Sequence, residues 1–301
     1  MANQYQTIIL YNSVPYFIDH ITKKGYWISE LYRNEGLLNR LGRKICQKLS
    51  LNDSFLYGDW VKKITTAKYI IVFAPIESKI LEFIKKRNPS IKIIYWYWNP
   101  AYRIGRPTDK LRKLADIWTF DKVDKVNYNL KYNNTFYFNS IQKLEVPIIY
   151  DLVFVGRNKH RKEKLLELKN YFESKNFKSI FHIVPNRNEK NPEKIKELSY
   201  GEYLKLISSS KAILDIMPPS QVGLTLRPME SLFLEIKIIT DNEHIKEETF
   251  YNPQNIFILG QDSLDNLRIF LDSPFVPISE EIKNNYDFDN WCKRIINETK
   301  I

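Results

Sequence analysis

Short runs of consecutive apolar residues recur along the first half of the chain, at 7–11, 69–74, 91–98 and 117–120, each closed by Asn, Pro or Asp. Runs of this length bounded by turn residues predict strands buried on both faces, as in a parallel sheet. Between them, residues 26–49 place Ile28, Leu31, Tyr32, Leu37, Leu38, Leu41 and Ile45 at mixed three- and four-residue steps, and 78–86 repeats the spacing with Ile80, Leu81 and Ile84. That period predicts helices. Near Pro147 the pattern restarts, with strands expected at 148–156, 179–184, 212–216, 237–240 and 255–259 and helices at 162–172, 200–208 and 223–234. The tail, 279–300, is expected to be helical through Ile282, Tyr286, Trp291, Ile295 and Ile296, with 284–289 interrupting it. Alternating strands and helices predict an α/β protein of two Rossmann-like, doubly wound domains facing a cleft. The expected division is 1–147, 148–275 and a segment, 276–301, packing back on the first domain.

Composition narrows the class. With 301 residues, 44% hydrophobic, 9 Gly and 14 Pro, the chain can bury two cores and is neither a disulfide-stapled scaffold nor mainly disordered. Cys46 and Cys292 stand alone in the sequence, which predicts two reduced thiols rather than a disulfide or zinc site. No apolar run reaches 18 residues, and the start lacks the basic and apolar regions of a secretory signal, so a cytoplasmic protein is expected. The net charge of +11 is unevenly distributed: residues 1–148 hold 24 Lys+Arg against 12 Asp+Glu, the remainder 22 against 23. Clusters at Lys62-Lys63, Lys85-Lys86-Arg87 and Lys110–Lys113 suit a phosphate-rich partner or an anionic membrane face.

The most informative segment runs from Asp215 to Leu232. A strand ends, a proline-stiffened loop turns, and a helix expected to begin near Gly223 points free N–H groups at an anion. Arg227 can grip a phosphate through its fork of donors, and Glu230, three residues on, can accept both protons of a ribose diol. The plain alternative is an exposed Arg227–Glu230 ion pair. Gly156-Arg157-Asn158-Lys159-His160-Arg161, after the strand at 148–156, offers close backbone approach and three cations, Arg157, Lys159 and Arg161. Such cations stabilise charge growing on a diphosphate leaving group.

The stretch Gly-x-x-x-Arg-x-x-Glu-x-Leu from Gly223 to Leu232, followed by Lys237 to Asn242, resembles the donor-site signature of GT-B glycosyltransferases. Tyr150 to Arg161, Trp96 to Pro100, Thr119-Phe120-Asp121 and Phe250 to Pro253 are similar to bacterial CgeB-like enzymes of capsular or lipopolysaccharide biosynthesis. The resemblance implies a GT-B fold with an acceptor-side first domain and a nucleotide-sugar-binding second domain. It implies that Gln221, Gly223, Leu224, Thr225 and Arg227, with Gly156, Arg157, Lys159 and Arg161, hold the pyrophosphate of a UDP-hexose, and that Glu230 holds the ribose. The paired glutamate of many retaining enzymes would stand eight residues before Glu230, where this chain has Val222, so inversion or retention stays open.

Transfer to a hydroxyl needs a base, and Asp19 and His20, expected in the loop after the first strand, are the candidates. Asn99, at the end of an aromatic strand, is the candidate cleft or acceptor residue. The Asp-x-Asp match at Asp287–Asp289 is taken as a surface segment, and no metal and no cofactor beyond the donor substrate are expected. The expected partners are a nucleotide sugar, a glycan or lipid-linked acceptor and the inner membrane face, without nucleic acid. Two other readings stay open: a nucleic-acid binder using the basic half with its Tyr and Trp for stacking, and a non-catalytic GT-B-like partner subunit.

Overall fold

The computed structural model describes residues 6–12, 16–33, 36, 41–42, 44, 46, 51–186, 189, 194–219 and 221–299. The chain divides into two units, Met1–Asn134 with Trp291–Ile301, and Thr135–Asn290.

In the first unit the apolar runs become parallel strands: β1 (Thr7–Tyr11), β2 (Trp27–Glu30), β3 (Tyr69–Phe73), β4 (Lys92–Tyr97), β5 (Asp116–Thr119) and β6 (Lys131–Tyr132). They lie in the order β2-β1-β3-β4-β5-β6. β1 and β3 are buried at every position, as strands covered on both faces must be. The helices are α1 (Ile18–Lys23), α2 (Ser78–Arg87), α3 (Ala101–Ile104), α4 (Asp109–Leu114) and α5 (Lys122–Tyr128). One face of α2 sinks Ile80, Leu81 and Ile84 into the core, as their spacing predicts.

One expected helix begins wrongly. Residues 27–30 pair with β1 in parallel register, Ile8 with Trp27 through Tyr11 with Glu30, so Ile28 belongs to an edge strand. Four residues are too few for periodicity to separate strand from helix, and the hydrogen bonds of the neighbouring strand decide. Gly36, Leu41, Gly42, Lys44 and Cys46 are helical, whereas Leu37, Leu38 and Ile45 lie outside the described residues.

The second unit holds β7 (Tyr150–Arg157), β8 (Ser179–Val184), β9 (Ser210–Asp215), β10 (Lys237–Thr240) and β11 (Ile256–Ile258), in the order β11-β10-β9-β7-β8, again all parallel. Its helices are α6 (Lys162–Ser174), α7 (Tyr200–Ser208), α8 (Leu226–Leu234), α9 (Leu267–Asp272) and α10 (Glu280–Tyr286). The last helix, α11 (Phe288–Glu298), is separated from α10 by Asp287, so the tail is two helices rather than one. Asp287 is buried, and its carboxylate accepts from Asn139 N and Asp289 N, both at 3.1 Å. The Asp-x-Asp match is therefore a buried helix start and not a surface segment.

Trp291 of α11 is fully buried in the first unit, edge-on to Trp96 with ring centroids 4.9 Å apart and stacked on Phe73 at 6.4 Å. Cys46 and Cys292 are both buried. Among the described residues no helix is long and apolar enough to cross a membrane, and no three His, Cys, Asp or Glu side chains converge as a metal site would require.

Both sheets share one topology. In each, the second strand lies to one side of the first and the third to the other, so the chain reverses direction between the first and third strands. In open parallel sheets the crevice outside the carboxyl ends at such a reversal is where ligands bind. For the second unit that crevice lies at the ends of β7 and β9.

Candidate functional site in the second unit

The end of β7 and the start of α8 meet at one corner. Phe154, fully buried, is flanked by the guanidinium carbons of Arg161 and Arg227, each 5.1 Å from its ring centroid. Cations are attracted to the aromatic face, more strongly where water is excluded. Gly156 follows with φ +157°, and a Cβ there would lie 2.7 Å from Arg227 Nη2. A side chain there would push the guanidinium back from the strand end, where Nη2 donates to the carbonyl of Val155.

Asp215, the last residue of β9, anchors the other side of the same guanidinium. Its Oδ1 accepts from Arg227 Nη1 at 3.2 Å and from Thr225 Oγ1 at 3.0 Å. Burial raises its pKa, while Arg227 and Arg161 oppose that rise. The Oδ2 of Asp215 and the Nε of Arg227 are buried without a hydrogen-bond partner among the described residues. The loop between β9 and α8 is fixed from behind: Asp241 accepts from Met217 N at 2.7 Å, and Asn242 donates to the carbonyl of Val222 at 3.2 Å.

Helix α8 begins at Leu226, three residues later than its periodicity predicts, with Thr225 as its cap. Gly223 and Leu224 belong to the loop. Thr225 Oγ1 accepts from Arg227 N at 3.2 Å, and Pro228 has no N–H, so much of the first turn's donor capacity is already used or missing. Positive charge at this corner therefore comes mainly from side chains.

Glu230 is buried on the inner face of α8 and is not paired with Arg227 in an exposed ion pair; its Oε2 accepts from Tyr203 Oη at 2.5 Å. Tyr200 and Tyr137, joined through their hydroxyls, continue the cluster. Burial pushes the Glu230 pKa up to about 7, against the lowering effects of Tyr203 and Arg227. The Tyr203 phenol is pushed well above its ordinary value by burial and by Glu230.

Arg161, buried, caps the start of α6 and donates from Nη2 to the carbonyl of Arg157 at 3.3 Å. Arg157 turns elsewhere, to Glu197 at 2.7 Å and the carbonyl of Pro185 at 2.9 Å. Lys159 and His160 adopt left-handed backbone, φ +45° and +64°. The turn is held by Asn158, buried, whose Oδ1 accepts from His160 N and Asn186 Nδ2, both at 2.8 Å. Gln221 donates to the carbonyl of Gly223 at 3.3 Å.

The structure therefore joins Gly156, Arg161, Thr225 and Arg227 in one cluster, leaves Lys159 and Gln221 beside its loops, and turns Arg157 away. Asp215, Phe154, Asn158 and Tyr203 were not singled out by the sequence. Asp215 carried a legible signal, a carboxylate closing an otherwise apolar strand; Tyr203 carried none.

In the first unit, Asp19 and His20 lie on α1 and not in a loop, Asp19 exposed and His20 half-buried. Burial and Lys23 lower the His20 pKa. Asn99 is half-buried just beyond β4.

No protein-family model and no curated protein matches this sequence. Among solved structures, the DNA-modifying enzyme β-glucosyltransferase, determined with and without its substrate uridine diphosphoglucose, matches with a TM-score of 0.51 and 12% identity over 98% of this chain and 96% of that one. At that identity the likeness is one of fold: the chain has the two-sheet α/β fold called GT-B. A 2-hydroxyacid dehydrogenase from Ketogulonicigenium vulgare Y25, at TM-score 0.25 and 7% identity over 89% of this chain and 92% of that one, is too distant to bear on it.

Proposed function

We propose that this protein is a glycosyltransferase that moves a hexose from a UDP-linked donor to a hydroxyl of a surface-polysaccharide acceptor, in the manner of the CgeB-like enzymes it resembles. The observation that carries the reading is the Arg161–Arg227 corner at the β7/β9 reversal, two buried guanidiniums on one aromatic ring beside a glycine that lets the Arg227 guanidinium lie against the strand end. A diphosphate suits it: each guanidinium offers parallel N–H donors to phosphate oxygens, and both are held before the ligand arrives. The fold likeness to an enzyme solved with uridine diphosphoglucose supports the same donor class.

In the reaction, the acceptor oxygen forms a bond to the anomeric carbon as the bond from that carbon to the β-phosphate oxygen breaks. The electron pair stays on the departing diphosphate, where Arg227 and Arg161 stabilise it. The acceptor proton passes to a base of the first unit, for which Asp19 and His20 remain the candidates. The resemblance assigns the ribose to Glu230, whose Oε1 is buried without a hydrogen-bond partner among the described residues and has to be uncovered for the ribose to reach it. No metal is assigned to the donor, and the basic first half is assigned to an anionic lipid-linked acceptor at the inner membrane face.

The solved relative modifies DNA, and that observation, with the excess positive charge of residues 1–148, favours DNA as a second acceptor class. The test is a thermal-shift and transfer screen with UDP-, GDP- and CMP-sugars. Stabilisation by a UDP-sugar is expected, weakened at least tenfold in affinity by Arg227→Ala, since a charge-assisted hydrogen bond contributes roughly 1.5–3 kcal/mol. No binding of any nucleotide sugar rejects the transferase; transfer to duplex DNA in place of an oligosaccharide replaces the acceptor.

A further inference from the structure

The corner where β7 and β9 end carries an anion of its own. Asp215 closes β9 behind the apolar Ala212, Ile213 and Leu214 and is wholly buried. Its Oδ1 lies 3.2 Å from Nη1 of Arg227 and accepts from Thr225 Oγ1 at 3.0 Å, while Oδ2, also buried, has no hydrogen-bond partner among the described residues. Arg161 acts on the same carboxylate through its charge. The other acids that bear on this corner are engaged or partly neutral. Asp241 pairs with Lys164 at 2.7 Å, and Glu230, hydrogen-bonded by Tyr203, has its pKa pushed up to about 7 by burial. Two guanidiniums against Asp215 leave the corner with one positive charge, or with none once Glu230 is ionised.

Where water is scarce, such charges act strongly on a ligand several ångströms away. A fixed negative charge therefore disfavours a ligand in proportion to the ligand's own negative charge. A nucleotide sugar is a diphosphate diester with one negative charge on each phosphate. The nucleoside diphosphate it leaves behind has a free terminal phosphate, which takes a further charge with a pKa of about 6, as phosphate monoesters do. The diester alone already outweighs the net positive charge of the corner. A third negative charge finds no buried cation left to offset it.

We infer that Asp215 is a specificity-determining residue, one that makes the corner prefer the nucleotide-sugar diester to the nucleoside diphosphate released from it. The inference rests on the donor reading above. With Asp215 in place, Arg161 and Arg227 still meet the charge that grows as the bond between sugar and phosphate breaks, yet the free diphosphate is not retained. Two guanidiniums without that carboxylate would hold the product more tightly than the substrate, and its departure would limit turnover.

Calorimetric titration of the full chain with UDP-glucose and with UDP at pH 7.5, in wild type and in Asp215→Asn, tests the inference. The amide keeps an oxygen for Thr225 and Arg227 and removes only the charge. The affinity ratio should shift toward UDP by at least about fivefold, since the more highly charged ligand gains more from the loss of a buried negative charge. A purely structural role for Asp215 would weaken both ligands alike. A ratio that stays level in a variant with native circular dichroism, or that shifts toward UDP-glucose, overturns the inference and leaves the donor reading standing. Should the variant not fold, wild type decides. Between pH 5.5 and 7.5 the terminal phosphate of UDP ionises, so UDP should lose affinity relative to UDP-glucose, the titration of Glu230 being common to both. A ratio that does not change with pH, or moves toward UDP, overturns the inference. Wild-type protein that binds neither ligand removes the donor reading and this inference with it.

Discussion

Glu230 shows how far a residue's chemistry depends on its surroundings. An acid whose pKa rises on folding, here from 4.5 to about 7, binds more protons folded than unfolded in that window, so its contribution to stability falls as pH rises through it. Thermal melts from pH 5 to 8 should show this loss, and Glu230→Gln should flatten the curve. Ribose hydroxyls donating to the carboxylate favour its ionised form. UDP-glucose binding at pH 7 is therefore expected to release a proton, detected as a dependence of the calorimetric enthalpy on the buffer's ionisation heat and absent in the variant. At Gly156 the constraint is steric. Gly156→Ala places a methyl 2.7 Å from Arg227 Nη2, so the guanidinium must move, and UDP affinity should fall at least tenfold while circular dichroism keeps its native shape. The sequence made Gly156, Arg227 and Glu230 candidates. It did not disclose that Arg227 would turn to Asp215 and Glu230 to Tyr203, because those partners stand 12 and 27 positions away.

At the level of elements, α7 and α8 both start on a hydroxyl cap, yet the two caps differ in consequence. Ser199 forms a reciprocal capping box with Glu202 on the surface, whereas Thr225 caps α8 and also bonds the buried Asp215. Ser199→Ala should cost about 1 kcal/mol in denaturant melts and leave UDP affinity unchanged. Thr225→Ala should cost a similar amount or more and weaken UDP binding as well. Elements with long, strongly apolar runs, such as β7 and β9, were legible almost to their ends. The edge strand β2 was not, because its four residues draw their hydrogen bonds from β1, and the start of α8 was displaced because Thr225 Oγ1 ties the first turn to the buried Asp215, a bond that Gly223 cannot make.

Across the whole chain, α11 closes the first unit with residues far from its other parts in sequence. Trp291→Ala removes a fully buried ring from between Phe73 and Trp96 and should destabilise that unit by about 3–5 kcal/mol. Hydrogen exchange should show protection lost in β3 and β4, while UDP-induced stabilisation of the second unit persists. The basic clusters of the first half are partly engaged at home: Lys62 pairs with Asp59 and Lys110 with Glu82, both at 2.8 Å, and Lys63 lies 4.7 Å from the centre of the Trp27 ring. Exposed pairs of this kind are weak, so the cations stay open to an anionic surface at low ionic strength.

What the sequence alone determined was the succession of buried strands, the restart near Pro147 and the residue types that suit a diphosphate, since apolar runs, turn residues and short motifs act over a few positions. The tertiary structure decided which carboxylate each candidate met, and that Asp287 was buried rather than exposed. These depend on strand order and on contacts between distant residues, where packing and desolvation act on neighbours in space rather than along the chain.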